Sequence, residues 1–318
     1  MARMGETATI RRSFVIGTRG SLLARAQCRI VQEELAARYS DDAWLTNEIK
    51  TQGDIDREVS LASLGGQGVF VRALEESLLA GEIDLAVHSL KDMPTELPPG
   101  LKIGAILPRT DARDVLISPV GPSLDSLPEG SVVGTSSLGR QAQLLSCRPD
   151  LTLRDIRGNV DTRLRKLHDR QYDALILAAA GLIRLGRGHL ITQYLSMDVM
   201  LPAVGQGALA IEVREDDQAV IGRVEPLNDR ATEQAVRAER GFLATLGGGC
   251  AVPIAAYGEV AYGRISLTGM VADPTSGRCV RGSLNGPVSQ PEALGRHLAE
   301  RLLSRGAREL LQGVVGGR

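Results

Sequence analysis

Aromatic side chains are scarce: one Trp, five Tyr and three Phe in 318 residues, 3% of the chain. A hydrophobic core must therefore rest on Leu, Val, Ile and Ala. Cysteine is scarce as well. Cys28, Cys147, Cys250 and Cys279 lie far apart with no C-x-x-C spacing, so neither a disulfide framework nor a zinc site is signalled, and no metal is expected. Long apolar runs are missing. The longest uncharged apolar stretch, residues 174–183, is far too short to span a bilayer. Residues 1–13 carry Arg3, Glu6, Arg11 and Arg12 where an export signal would need an apolar segment. Cytoplasm is the expected address. Excess charge is missing too: the formal net charge of -1 argues against bulk attraction to nucleic acid or to an anionic membrane. Any anion site must be local.

What is present is a chain long enough for two or three domains, with an ordinary 43% of hydrophobic and 24% of charged residues. The first half alternates short strand-like runs with amphipathic helical ones. Strands are expected at residues 13–18, 44–51 and 83–90, and helices at 22–39 and 69–80, with Leu23, Ala26 and Ile30 on one face of the first helix. This order implies a parallel sheet with helices on both faces. A second unit repeats the theme, with strands at 131–135, 151–156 and 172–179 and helices at 137–147 and 160–170. Residues 208–213 read as one further strand, and 111–114 lie between the units. The last third changes character. A helix at 231–246 breaks at Gly247-Gly248-Gly249-Cys250, antiparallel strands fill 254–282, and a closing helix at 292–311 carries Leu294, Leu298, Leu302 and Leu303 on its buried side. The expected fold class is α/β, two such domains followed by a smaller α+β domain.

In sheets of this kind ligands bind beyond the C-terminal strand ends. There the sequence places Thr18-Arg19-Gly20-Ser21, Lys91-Asp92 and Thr135-Ser136-Ser137. Hydroxyls and bare amides at a helix N-terminus suit carboxylates or phosphates, and arginine adds a bidentate fork. Arg19, Arg140, Arg157, Arg163 and Arg184 all fall at or just after strand ends, which points to a cleft for a ligand with several carboxylates. Plainer readings stand beside this. One Arg near a helix start is more often solvated than a clamp, and Ser136 or Ser137 can simply cap a helix. Gly65-Gly66-Gln67-Gly68 lacks the Lys-Ser/Thr of a P-loop, which excludes nucleotide binding there. His88 has no partner at metal spacing and reads as a satisfied structural histidine. Cys28, Cys147 and Cys279 fall in regular elements and read as inert, whereas three glycines expose the backbone beside Cys250. Composition and spacing alone reach a two-lobed anion-binding α/β protein with an appended domain.

Seven blocks carry more. They are Ile16-Gly17-Thr18-Arg19-Gly20-Ser21, Val87-His88-Ser89-Leu90-Lys91-Asp92-Met93-Pro94, Gly134-Thr135-Ser136-Ser137-Leu138, Arg157-Gly158-Asn159-Val160 with Thr162-Arg163-Leu164, Ala180-Gly181-Leu182, Leu201-Pro202-Ala203-Val204-Gly205-Gln206-Gly207-Ala208 and Gly248-Gly249-Cys250-Ala251-Val252-Pro253. In this order the chain resembles the hydroxymethylbilane synthase (porphobilinogen deaminase) family. The resemblance implies two domains like the type II periplasmic binding fold and a third that carries the cofactor cysteine. The expected bounds are 13–108 with 205–226, then 109–204, then 227–318. It also implies a dipyrromethane cofactor, made from two substrate units and joined by a thioether to Cys250. Four porphobilinogen units would be added to this primer with loss of ammonia, and water would free a linear tetrapyrrole for porphyrin and haem biosynthesis. By the same resemblance Asp92 is the catalytic carboxylate, placed to steady the azafulvenium cation at its pyrrole N–H. Arg19, Ser21, Lys91, Ser137, Arg140, Arg157, Arg163 and Arg184 would line the cleft for cofactor and substrate carboxylates. A monomer acting on a small molecule, without nucleic acid or membrane, is expected.

Three positions depart from the family's common pattern. Gly139 stands where the first of a basic pair is usual, and Ser63 and Gln67 stand where bacterial members often have Lys. Two other readings therefore remain beside the transferase: a specialised paralogue with altered pyrrole chemistry, and a non-catalytic polycarboxylate-binding protein of the same fold.

Overall fold

The computed structural model describes residues 12–50, 71–248 and 252–316; Ser63, Gln67 and Cys250 lie outside the described residues. The N-terminal elements are β1 (Ser13–Arg19), α1 (Leu22–Arg38), β2 (Ala43–Ile49), α2 (Arg72–Leu79), β3 (Leu85–Ser89) and β4 (Leu101–Ile106). A second series follows: β5 (Asp114–Ile117), β6 (Val132–Gly134), α3 (Leu138–Cys147), β7 (Thr152–Arg154), α4 (Val160–His168), β8 (Ala174–Ala178), α5 (Ala179–Arg184) and β9 (Gln193–Tyr194). The chain then returns through β10 (Leu209–Arg214), α6 (Gln218–Val224) and α7 (Arg230–Thr245). It ends in β11 (Ile254–Ala261), β12 (Arg264–Ala272), β13 (Cys279–Pro287), α8 (Pro291–Leu302) and α9 (Arg308–Gly316).

Two five-stranded sheets share one plan. The first has the order β2-β1-β3-β10-β4 and the second β7-β6-β8-β5-β9. In each, three strands pair in parallel and a fourth, β10 or β5, runs antiparallel to both its neighbours. The sheets are thus mixed, where a wholly parallel sheet was expected from the β-α-β rhythm. That rhythm encodes the crossover strands only. The antiparallel member lies outside that rhythm: β5 follows directly on the first unit, and β10 returns after the second. Residues 107–113 and 195–208 are the two crossovers that result.

The crossovers touch each other. Thr110 N donates to Gly207 O at 3.2 Å and Leu107 N to Leu209 O at 3.0 Å. Gly207 has φ +89, and a Cβ there would lie 2.4 Å from Thr110 O. Only glycine fits both the left-handed backbone and the close approach.

Each sheet is buried on both faces by aliphatic side chains. Ile16, Val31, Leu35, Leu85 and Ile211 pack under α1, while Leu74, Leu78, Ile83 and Leu101 pack under α2. The rare aromatics are used locally: Phe14 stacks on Trp44 with centroids 4.9 Å apart. The last sheet, β11-β12-β13, is antiparallel and covered by α7 and α8 around Phe242, Leu294, Leu298 and Leu302. The closing helix is not continuous as expected. Gly306 sits at φ +102 and breaks it between α8 and α9. Among the described residues no helix is long and apolar enough to cross a membrane.

Candidate active site

In the N-terminal unit β1 and β3 lie side by side and end together. Arg19 is the last residue of β1, and Ser21 caps α1, its Oγ accepting from Ala24 N at 3.2 Å. The N-terminus of this 17-residue helix therefore opens at the strand ends, where its exposed amides favour anions. β3 ends at Ser89 and continues into a 3-10 turn, Leu90–Asp92, that carries Lys91 and Asp92. Gln27 of α1 ties the two strands' helices and turns together by donating from Nε2 to Ser89 Oγ at 2.7 Å. A pocket opens here, lined by Arg19, Ser21, Gln27, His88, Ser89 and Asp92 among others.

Gln206, on the second crossover, joins this pocket to the other unit. Its side chain is fully buried and all four of its hydrogen-bonding positions are used. Its Oε1 accepts from Lys91 Nζ at 3.1 Å and from Arg140 Nη2 at 3.3 Å. Its Nε2 donates to Asp114 Oδ1 at 2.6 Å and to Ala112 O at 2.8 Å. Arg140 in turn grips Asp114 with Nε at 3.1 Å and Nη2 at 2.7 Å, and Ile176 O accepts from its Nη1 at 3.2 Å.

Electrostatics gathers a small group around this junction. Burial, followed by the charge of Arg140, pushes the Lys91 ammonium below its ordinary range even though Asp92 and Asp114 pull the other way. Burial and Arg140 likewise lower Arg163 to about 10, against the opposing pull of Asp92. Lys91, Arg140 and Arg163 thus share their space with Asp92 and Asp114, three cations to two carboxylates. Such an arrangement is relieved by an anion.

The remaining expected residues are placed differently. Ser137 caps α3, accepting from Arg140 N at 3.4 Å, while Ser136 Oγ donates to Ile156 O at 2.8 Å. Arg157 is exposed just beyond β7. Arg184 ends α5 and binds the crossovers, donating to Gly207 O at 2.6 Å and Thr110 Oγ1 at 3.2 Å. Burial alone lowers it to about 10. Of the cysteines, Cys28 is buried beside Thr46, whereas Cys147 and Cys279 are exposed. His88 is buried as expected but is not satisfied: its Nε2 lies 3.0 Å from Glu212 Oε2 without the alignment of a hydrogen bond.

Sequence reasoning missed Gln27, Gln206 and a buried pair, Arg109 and Glu239. Arg109 leaves the first crossover and meets Glu239 of α7 at 2.5 and 3.2 Å, while its Nε donates to Gln206 O at 2.8 Å. Glu239 also accepts from Gly205 N at 2.7 Å and Gly258 N at 2.8 Å, so one carboxylate fastens both crossovers to the third sheet.

Comparison with known proteins fits this geometry. The family model described as porphobilinogen deaminase, dipyromethane cofactor binding domain, matches residues 14–222. The chain belongs to the porphobilinogen deaminase family. The model of that family's C-terminal domain matches residues 233–304. A porphobilinogen deaminase of Geobacillus kaustophilus is 51% identical over 304 residues, 95% of this chain and 98% of that one. One of Syntrophotalea carbinolica is 50% identical over 296 residues, 93% of this chain and 94% of its own. Among solved structures, the methionine binding protein MetQ is 16% identical and covers 71% of this chain and 93% of that one. Its TM-score of 0.40 is too low to bear on the site.

Proposed function

We propose that this member of the family is a hydroxymethylbilane synthase. It joins four porphobilinogen units into a linear tetrapyrrole on a dipyrromethane held by Cys250. The observation that supports this most is the excess of positive charge around Asp92. Two linked pyrroles bear four carboxylates, and burial together with the charge of Arg140 lowers both Lys91 and Arg163, which an anion beside them would offset. The residues present therefore fit the group that the family domain binds. When bound, the dipyrromethane supplies the pyrrole end to which new units are joined.

The chain's own residues do the rest. Arg19 and Ser21 at the α1 N-terminus, with Lys91, Arg140 and Arg163, hold substrate and cofactor carboxylates. Ser137, Arg157 and Arg184 extend this lining as the growing chain lengthens. Asp92 faces the pyrrole N–H of the incoming unit and stabilises the positive charge that develops as ammonia departs. Gln206 keeps Lys91 and Arg140 at a fixed spacing while it serves as the joint between the units. Residues 13–108 with 205–226, 109–204 and 227–318 are its three domains, one for each sheet. The reading carries with it a cytoplasmic monomer that needs neither nucleic acid nor membrane.

Intact-mass measurement on freshly purified protein tests the reading. A mass excess of two linked pyrrole units is expected, absent from Cys250→Ser and mapping to no other cysteine. Active protein with no adduct, or with one on Cys28, Cys147 or Cys279, would overturn it.

A further inference from the structure

Beyond Asp92 the chain runs to β4 without a helix or strand, through Pro94, Pro98 and Pro99. Proline has no N–H, so this stretch has few donors of its own for its carbonyls. Two of them find a donor on another element. Arg240 of α7 donates from Nη2 to Pro94 O at 2.7 Å and to Thr95 O at 3.0 Å. Pro94 and Thr95 lie only two and three positions past Asp92.

A charge is used differently here from elsewhere on the helix. Arg237, on the same helix, pairs with Glu233 and Glu292. Arg240 pairs with no carboxylate among the described residues, and burial pushes its guanidinium below the ordinary range. A partly desolvated cation that meets only neutral acceptors opposes folding. What the arrangement secures is the position of residues 94 and 95.

The same face of α7 also seats the turn itself. Val236 lies four residues before Arg240, hence on the same side of the helix. It packs with Leu90 and Met93, the two buried residues that bracket Lys91 and Asp92. Leu90 N donates to Ala208 O and Met93 N to Leu90 O, each at 3.1 Å. Lys91 and Asp92 thus form a short crest. Its upstream end is tied to the second crossover and its downstream end to α7.

We propose that Arg240 is a positioning residue for Asp92: through Pro94 and Thr95 it holds the turn Leu90–Asp92, so that the carboxylate stays where positive charge develops on the substrate. The inference rests on the functional reading above, in which Asp92 steadies that charge. Arg240 acts through the turn, not on the reacting atoms. The helix that holds the turn ends at Thr245, five positions before Cys250, so it leads directly into the segment that carries the tether.

A double-mutant cycle on the primer-loaded enzyme tests this. Arg240→Met keeps the apolar stem and removes the donors. It should keep its primer by intact mass and its KM within about twofold, and lose about 10–10² in kcat, because a misplacement of about 1 Å costs on that order. In an Asp92→Asn background the same change should cost less than about twofold, since the turn then has no carboxylate to place. Arg240→Lys, whose ammonium can reach the same carbonyls, should recover most of the loss. Arg240→Gln, too short to reach them, takes the place of Arg240→Met in the cycle if the latter does not fold. An equal loss in both backgrounds, a kcat within about twofold of the parent, a loss that falls on KM, a Lys variant as poor as Met, or failure of both Met and Gln variants to fold would overturn the inference. A parent without primer, or Asp92→Asn with parent-like turnover, would instead overturn the functional reading on which it stands.

Discussion

Replacing Glu239 by Gln keeps the shape of the side chain and removes its charge, which isolates what the buried ion pair with Arg109 contributes. Glu239 is fully buried and its partner side chain only 10% exposed. The carboxylate accepts four hydrogen bonds, two from Arg109 and one each from Gly205 N and Gly258 N. A carboxamide has one oxygen. Whichever way it turns, its NH2 group faces both a guanidinium N–H and a backbone N–H, so two donor pairs collide and Arg109 keeps an uncompensated buried charge. Breaking a buried pair from one side costs about 3–5 kcal/mol. With about 2.1 cal/mol/K of unfolding entropy per residue, a chain of 318 residues shifts about 1.5 °C per kcal/mol, so Tm should fall by roughly 4–8 °C. Differential scanning calorimetry at one fixed scan rate and neutral pH measures it, since a chain of several domains need not unfold in two states. Arg109→Leu combined with Glu239→Leu should lose less than either single change, because no charge is then stranded. A Glu239→Gln protein that melts within about 2 °C of the parent would refute the assignment of this pair as the fastening between crossovers and third sheet.

Two further outcomes follow from the site. Asp92→Asn should fold and retain its primer by intact mass but lose about 10²–10³ in kcat, the usual effect of removing one preorganised electrostatic contact; near-parent turnover would mean that another carboxylate steadies the cation. Gly139→Arg should lower the Michaelis constant for porphobilinogen and reduce its salt sensitivity, because the nearest atoms to a Cβ there, Ile254 O at 3.8 Å and Ser137 Oγ at 3.9 Å, leave room for a side chain. Neither Arg72 nor Arg113 already fills that place, being paired with Glu76 and Asp111; steady-state kinetics at two ionic strengths with an unchanged constant would show that the gap is compensated elsewhere.

Much of the site was legible because it is local. A strand that ends in Arg19 and a helix capped by Ser21 are adjacent in sequence, and Lys91-Asp92 follows its strand directly. The β-α-β rhythm likewise located β1, β3, β6 and β8 and the helices between them. What escaped is what sequence distance hides. Gln206 meets Lys91 across 115 positions and Arg140 across 66, and Arg109 meets Glu239 across 130. No periodicity marks a residue whose partners lie in other units. His88 was misread for a related reason: its nearest charged neighbour, Glu212, sits on a strand that returns only after the second unit is complete. The antiparallel sense of β5 and β10 was hidden too, since strand direction is set by where the chain comes from. In the last helix, Gly306 lies within an apolar repeat that continues on both sides, so the pattern read as one helix.

The late return of β10 to the first sheet has a consequence for synthesis. β10 lies inside the first sheet, between β3 and β4, yet about 100 residues separate its start from the end of β4. On the ribosome, at about 5–20 residues per second, the first unit waits roughly 5–20 s with an inner strand missing and two open edges exposed. During that time β5, the first strand of the next unit to emerge, is an available wrong partner for the gap, because it too runs antiparallel to its neighbours. Nascent chains halted before residue 209 should therefore be the ones that chaperones hold and that aggregate when released, while chains extended past residue 214 close the first sheet and escape.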